Sequence, residues 1–149
     1  MVKNRIYLDN CCFNRPYDDQ SNLNVHLEAQ AKVFIQNEIL NKALELVWSF
    51  MMDYEINSNP YFDRKIAFLH WKKIAIMDID PIEKILIKGK ELNQKNIKRK
   101  DALHIACAIE GECEYFLTTD AKLLNKSISE IKIVNPLDLI RQSYTGEKI

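Results

Sequence analysis

Apolar positions along this chain alternate between two spacings. Five short apolar runs predict strands: Ile6–Leu8, Leu46–Ser49, Ile74–Asp78, Tyr115–Thr118 and Ile131–Val134. Between them, apolar residues recur at helical intervals. Val25, Leu27, Ala31, Phe34, Ile35, Ile39 and Ala43 predict one long or broken helix from Asn24 to about Leu44. Further helices are predicted over Phe50–Asn57, with Ser49 as its cap, and over Tyr61–Lys73, beyond the Asn59-Pro60 break. Ile82–Leu92 is another. Asp101–Glu110 is apolar almost all round, which predicts a buried helix ending at Gly111. Asp120 opens a short helix over Ala121–Asn125, and Pro136 opens the last, to Arg141. The polar segments Asn10–Asn22 and NQKNIKRKD read as a loop and a basic link.

This alternation predicts an α/β fold, a three-layer α/β/α sandwich around a mostly parallel sheet, in a single domain spanning residues 1–149. Parallel sheets place their sites outside the carboxyl ends of the strands. The stretch RIYLDN is then informative, because a buried strand delivers Asp9 to that crevice. Glu55 follows the second strand by six residues, Asp101 starts the buried helix and Asp120 follows the strand ending at Thr118. Right-handed crossovers would turn all of these strand ends toward one edge. Four converging carboxylates raise one another's pKa unless a cation shares them. Hard oxygen ligands suit Mg²⁺ or Mn²⁺, which would acidify a water and stabilise charge on a phosphoryl oxygen. Each acid also has a plain structural role open to it: Asp101 and Asp120 as helix caps, Glu55 as a solvated helix residue. Asp18, Asp19, Glu28, Asp78 and Asp80 read as loop or surface charges, with Asp18 and Asp19 nearest the crevice.

Composition narrows the classes. Twenty-one basic and 21 acidic residues cancel, so no global field draws the chain to nucleic acid and any such contact must be local. No signal-peptide core or membrane-length apolar run is present, which makes a soluble cytoplasmic protein the expectation. Cys11, Cys12, Cys107 and Cys113 have neither zinc-knuckle spacing nor a disulfide context, and read as buried or idle thiols.

The motifs resemble those of the PIN domain, the metal-dependent ribonuclease fold of the VapC-like toxins of bacterial toxin–antitoxin pairs. The matching stretches are IYLDN (Asp9), WSFMMDYE (Ser49 and Glu55), DALHIACA (Asp101) and FLTTD (Thr118 and Asp120), in order along nearly the whole chain. Two features depart from the pattern. Asn10 stands where toxins usually carry Thr or Ser, and the loop NCCFNRPYDDQ is longer, as in a side branch of the family. The resemblance implies cleavage of RNA phosphodiester bonds with Mg²⁺ or Mn²⁺ held by Asp9, Glu55, Asp101 and Asp120, supported by Asn10, Ser49 and Thr118. It also implies a possible antitoxin partner and a homodimer. The alternative is a non-catalytic PIN-like module that binds RNA or protein. A phosphatase with Asp9 as covalent nucleophile would want Asp-x-Asp, and the chain has Asp-Asn-Cys.

Around these acids, Lys95, Lys98, Arg99 and Lys100 could steer RNA or could form a solvated loop. Arg15 could contact phosphate or clamp an acid. His104, one turn after Asp101, reads as a core or capping histidine or as support for the site. Asn10 and Asn14 could orient acids or satisfy a turn, and Trp48 and Trp71 read as core.

Overall fold

The computed structural model describes residues 1–145; the final four positions of the expected domain lie outside the described residues. Five parallel strands form one sheet: β1 (Val2–Leu8), β2 (Glu45–Ser49), β3 (Met77–Ile79), β4 (Cys113–Leu117) and β5 (Lys132–Val134). Their spatial order is β3-β2-β1-β4-β5. The helices are α1 (Asn10–Asn14), α2 (Leu23–Leu40), α3 (Phe50–Asn57), α4 (Phe62–Ile74), α5 (Glu83–Asn93), α6 (Arg99–Glu110), α7 (Ala121–Leu124) and α8 (Pro136–Thr145). They flank the sheet as the outer layers of a three-layer sandwich. Right-handed crossovers from β1 to β2 and from β3 to β4 run in opposite directions along the sheet. They therefore put α2 and α5–α6 on opposite faces.

The strands are apolar and their residues vanish from the surface: Ile6, Tyr7, Leu8, Trp48, Phe116 and Leu117 are buried. Continuous rather than alternating burial is what a sheet covered on both faces requires. The helix α6 lies against this core through Ala102, Ile105, Ala106 and Ala108, all small or compact residues. It also packs closely on α5, where a Cβ on Gly89 would stand 2.8 Å from Leu103 Cδ2.

Most expected elements stand within a few residues of their predicted bounds, and Phe50–Asn57 is capped by Ser49 Oγ as expected. The correction is Asn10–Asn22. The first half of this segment is helical: α1 runs straight into a 3₁₀ turn over Arg15–Tyr17, with Pro16 early in the turn. Asp9 caps α1 by accepting the Asn10 N–H, and Phe13 is buried against Trp48 and Phe68. A five-residue helix has too few turns to show a period. Its tertiary anchor at Phe13, rather than its own sequence, holds it.

The strand order reverses between β1 and β4, since β1 connects toward β2 while β4 connects toward β5. Crevices in open α/β sheets form at such a point, outside the strand ends. Leu8 pairs with Leu117 in register, so Asp9 and Thr118 emerge side by side there.

Candidate functional site: a carboxylate cleft at the strand ends

Asp9 is buried, at 7% exposed. Its backbone N–H still continues the ladder, donating to Leu117 O at 2.9 Å. One carboxylate oxygen accepts the Asn10 N–H at 2.8 Å, and the other accepts the Thr118 hydroxyl at 2.9 Å. Both donors are neutral. Burial pushes the Asp9 pKa well above the usual carboxylate range, and the neighbouring Cys11 and Asp101 add to the effect against His104 and Thr118. Among the described residues no lysine or arginine pairs with Asp9 to offset that cost.

The other three acids face the same cleft. Asp101, in the first turn of α6, is raised by burial and then by the charges of Asp120 and Glu55. Asp120 caps α7 through the Lys122 N–H, and its own N–H donates to Thr118 Oγ1 at 3.1 Å. Glu55, on α3, behaves differently. Burial acts to raise it, but hydrogen bonds from His104 and Asn10 and the charge of Lys100 hold it below its ordinary value.

Behind Glu55 runs a buried relay. His104 Nε2 lies 2.8 Å from Glu55 Oε1, and His104 Nδ1 lies 2.6 Å from the Tyr7 hydroxyl. That hydroxyl is also 2.6 Å from Ser49 Oγ. Glu55 can only accept when ionised, so Nε2 donates to it, which leaves Nδ1 to accept from Tyr7. Burial raises the Tyr7 pKa far above that of a free phenol, keeping its proton in place as a donor. Ser49 then donates to Tyr7 and accepts the Met52 N–H that caps α3. The histidine is thus both core and site support. Tyr7 is a site-supporting residue that sequence reasoning missed; an apolar strand hides a functional tyrosine among its packing residues.

Cys11, read with the other cysteines as a buried or idle thiol, is hydrogen-bonded at the cleft. Its Sγ stands 3.4 Å from Asp9 Oδ2 and from Thr118 Oγ1, and receives the Thr119 N–H at 3.4 Å. A hydrogen bond with Cys12, ahead of opposing burial, lowers its pKa to about 6, with Thr118 and Thr119 assisting. Its position two residues after Asp9, in a helix that starts at the cleft, was the available signal.

The expected RNA contacts divide. Lys98, Arg99 and Lys100 are exposed at the start of α6, beside the acids, and Lys100 Nζ sits 5.3 Å over the Tyr54 ring. Arg15 is elsewhere. Its guanidinium binds Glu28 at 2.9 Å and Asp18 at 3.1 Å, so its fork is committed to acids outside the cleft. Arg15 is a clamp and not a phosphate contact in this arrangement, because Glu28 is a buried carboxylate that needs it. Glu28, expected at the surface, is only 6% exposed and also accepts from Asn135 Nδ2. Asp18 and Asp19 remain exposed, Asp18 paired with Arg15 and Asp19 accepting the Ser21 N–H. Asn10 bonds Asp9 through its backbone N–H, and its side chain acts to lower the Glu55 pKa. Asn14 satisfies the turn of α1 by donating to Asn10 O. Trp48 is core, with its indole N–H donated to Asp53.

Two observations bear on a cation. Among the described residues, no three His, Cys, Asp or Glu side chains are packed together as a ready-made ligand set. The carboxyls instead influence one another across the cleft. Second, Asn10 Oδ1 is buried without a hydrogen-bond partner. A hard divalent ion needs only one or two direct carboxylates, with waters completing its shell, so this all-oxygen donor set fits Mg²⁺ or Mn²⁺.

No family model matches the chain, and no curated protein matches it. Among the described residues, no helix is long and apolar enough to cross a membrane.

Proposed function

We propose that the protein is a PIN-like, Mg²⁺- or Mn²⁺-dependent ribonuclease. One observation carries the reading: Asp9 is buried at the switch point of the sheet, held by neutral donors alone and facing further carboxyls. A carboxylate buried for structure alone normally has a cationic partner, because an uncompensated buried charge costs several kcal/mol, roughly 3–5. Here the natural partner is a divalent ion. Asp9, Glu55, Asp101 and Asp120 would hold it, directly or through water.

The protein's own groups prepare that site. Thr118 and the Asn10 backbone fix the Asp9 carboxyl, and the Tyr7–His104 relay fixes Glu55 in its ionised form. When bound, the cation would lower the pKa of a coordinated water and supply positive charge for the phosphoryl oxygens. Lys98, Arg99 and Lys100 bring the phosphate backbone past the acids, which would otherwise repel it. The order of the motifs, with their resemblance to VapC-like toxins, supports a toxin role with an antitoxin partner, a homodimer and a cytoplasmic site of action.

The test is incubation of purified protein with total RNA, with Mn²⁺ and with EDTA. Cleavage that EDTA abolishes and Asp9→Asn removes supports the reading. Cleavage unaffected by EDTA overturns it. A second reading, a PIN-like module that binds RNA or protein without cutting, is favoured by the open spacing of the carboxyls. Binding of RNA with no cleavage under any divalent ion would select it.

A further inference from the structure

Beside the acids lies a cavity of about 210 Å³. It is lined by Asp101 and Asp120 together with Lys98, Lys122, Lys126 and Asn96. The lysines come from two elements. Lys98 immediately precedes α6, and its charge acts on Asp101. Lys122 lies within α7, and Lys126 follows four residues later, just past its end, where the chain still turns as the Lys126 N–H bonds Leu123 O. Both line the cavity.

These lysines are uncommitted. Lys72, Lys84 and Lys88 each pair with a carboxylate, whereas among the described residues Lys98, Lys122 and Lys126 form no ion pair. The neighbouring Asp120 turns an oxygen to the α7 backbone instead. Three ammonium groups around one small cavity, beside carboxyls that must meet a phosphate, offer point-charge donors to a second anion. Ile97 and Leu123 add an apolar floor against which a sugar can rest.

We propose that Lys98, Lys122 and Lys126 form a subsite for the single-stranded RNA phosphate adjacent to the one that is cut. This rests on the ribonuclease reading above. It gives α7 a role in placing the strand and makes the lysines substrate-positioning rather than catalytic. Arg99 and Lys100, further into α6, do not line this cavity.

The test is binding of a fluorescent single-stranded oligoribonucleotide in EDTA, followed by anisotropy across a salt series. The proteins are the wild type, Lys122→Ala/Lys126→Ala, Lys122→Arg/Lys126→Arg and, as control, Lys3→Ala/Lys73→Ala, at the start of β1 and the end of α4. Each phosphate contact on single strands contributes about 0.7 to the slope of log K against log salt. The alanine pair should therefore weaken binding about tenfold or more and flatten the slope by about 0.7, the share of one phosphate. The arginine pair and the control should keep the wild-type slope. In cleavage, the alanine pair should raise KM with kcat little changed. An alanine pair that binds with wild-type affinity and slope overturns the subsite while leaving the ribonuclease reading standing. A wild type that neither binds nor cuts RNA, with or without Mn²⁺, overturns both.

Discussion

Asp9 and Glu28 are equally buried, at 7% and 6% exposed, yet the fold treats them in opposite ways. Glu28 sits on α2 and is fully answered: Arg15 engages it through two nitrogens, at 3.0 and 2.9 Å, and Asn135 donates as well. Through it, α2, the turn after α1 and the segment before α8 are tied together. Asp9 has hydrogen bonds but no cation, and its neighbours across the cleft are also acids. Burial depth is therefore a poor guide to function. What separates a structural carboxylate from one kept for chemistry is whether the polypeptide supplies the opposite charge.

The largest effect should come from Asp9→Asn. Activity should fall on the order of a thousandfold, the usual scale for losing a catalytic group, with no loss of thermal stability. The sign follows from linkage. A carboxyl whose pKa is raised by folding stabilises the native state below its unfolded pKa, and that contribution is lost as pH rises through the folded value. Asp9→Asn should thus be the more stable protein at pH 7 without metal, and the gap in Tm should close as pH falls. A variant that unfolds more readily at pH 7 would put Asp9 in the same class as Glu28.

Glu28→Ala should do the reverse. It leaves the Arg15 guanidinium with only the exposed Asp18 and Asn135 Nδ2 without its acceptor, and should cost about 3 kcal/mol in urea unfolding, with activity per folded molecule intact. Loss of activity in excess of loss of folded protein would break the contrast.

The sequence-readable part of the molecule was its sheet. Apolar runs separated by helical periods leave few ways to cover a parallel sheet, and each strand-end acid then has only one edge to occupy. The polar residues of α2 were not readable. Glu28, Lys32 and Gln36 recur at four-residue intervals, which reads as a solvated stripe, yet all three are buried. The burial of Glu28 and Lys32 goes with Arg15 and Phe13 arriving from the segment read as a loop, and with Asn135 from beyond β5. Contacts so distant in sequence leave no local period. Tyr7 and Cys11 were missed for a related reason: each looks like packing until its partners, Ser49 and His104 or Thr118 and Thr119, are in place.

Lys32 provides the smallest and most quantitative check. Burial lowers its pKa to about 8, partly opposed by the charge of Cys12, while its ammonium lies 5.6 Å over the Phe13 ring. The unfolded chain then binds more protons between pH 8 and about 10.4, so stability should rise with pH across that window. Lys32→Met should abolish the rise and stabilise the protein at pH 7 by about 1–3 kcal/mol, less what the cation–π contact contributes. A flat profile for the wild type would mean that Lys32 is answered as fully as Glu28.

The central claim is that the charge missing beside Asp9 is supplied by a divalent ion. Thermal unfolding of the wild type and Asp9→Asn with increasing Mn²⁺ tests it most directly. The wild type should gain about 5–10 °C at a hundredfold excess over Kd, and Asp9→Asn should gain little or nothing. Equal shifts in the two proteins, or none in either, would contradict the account.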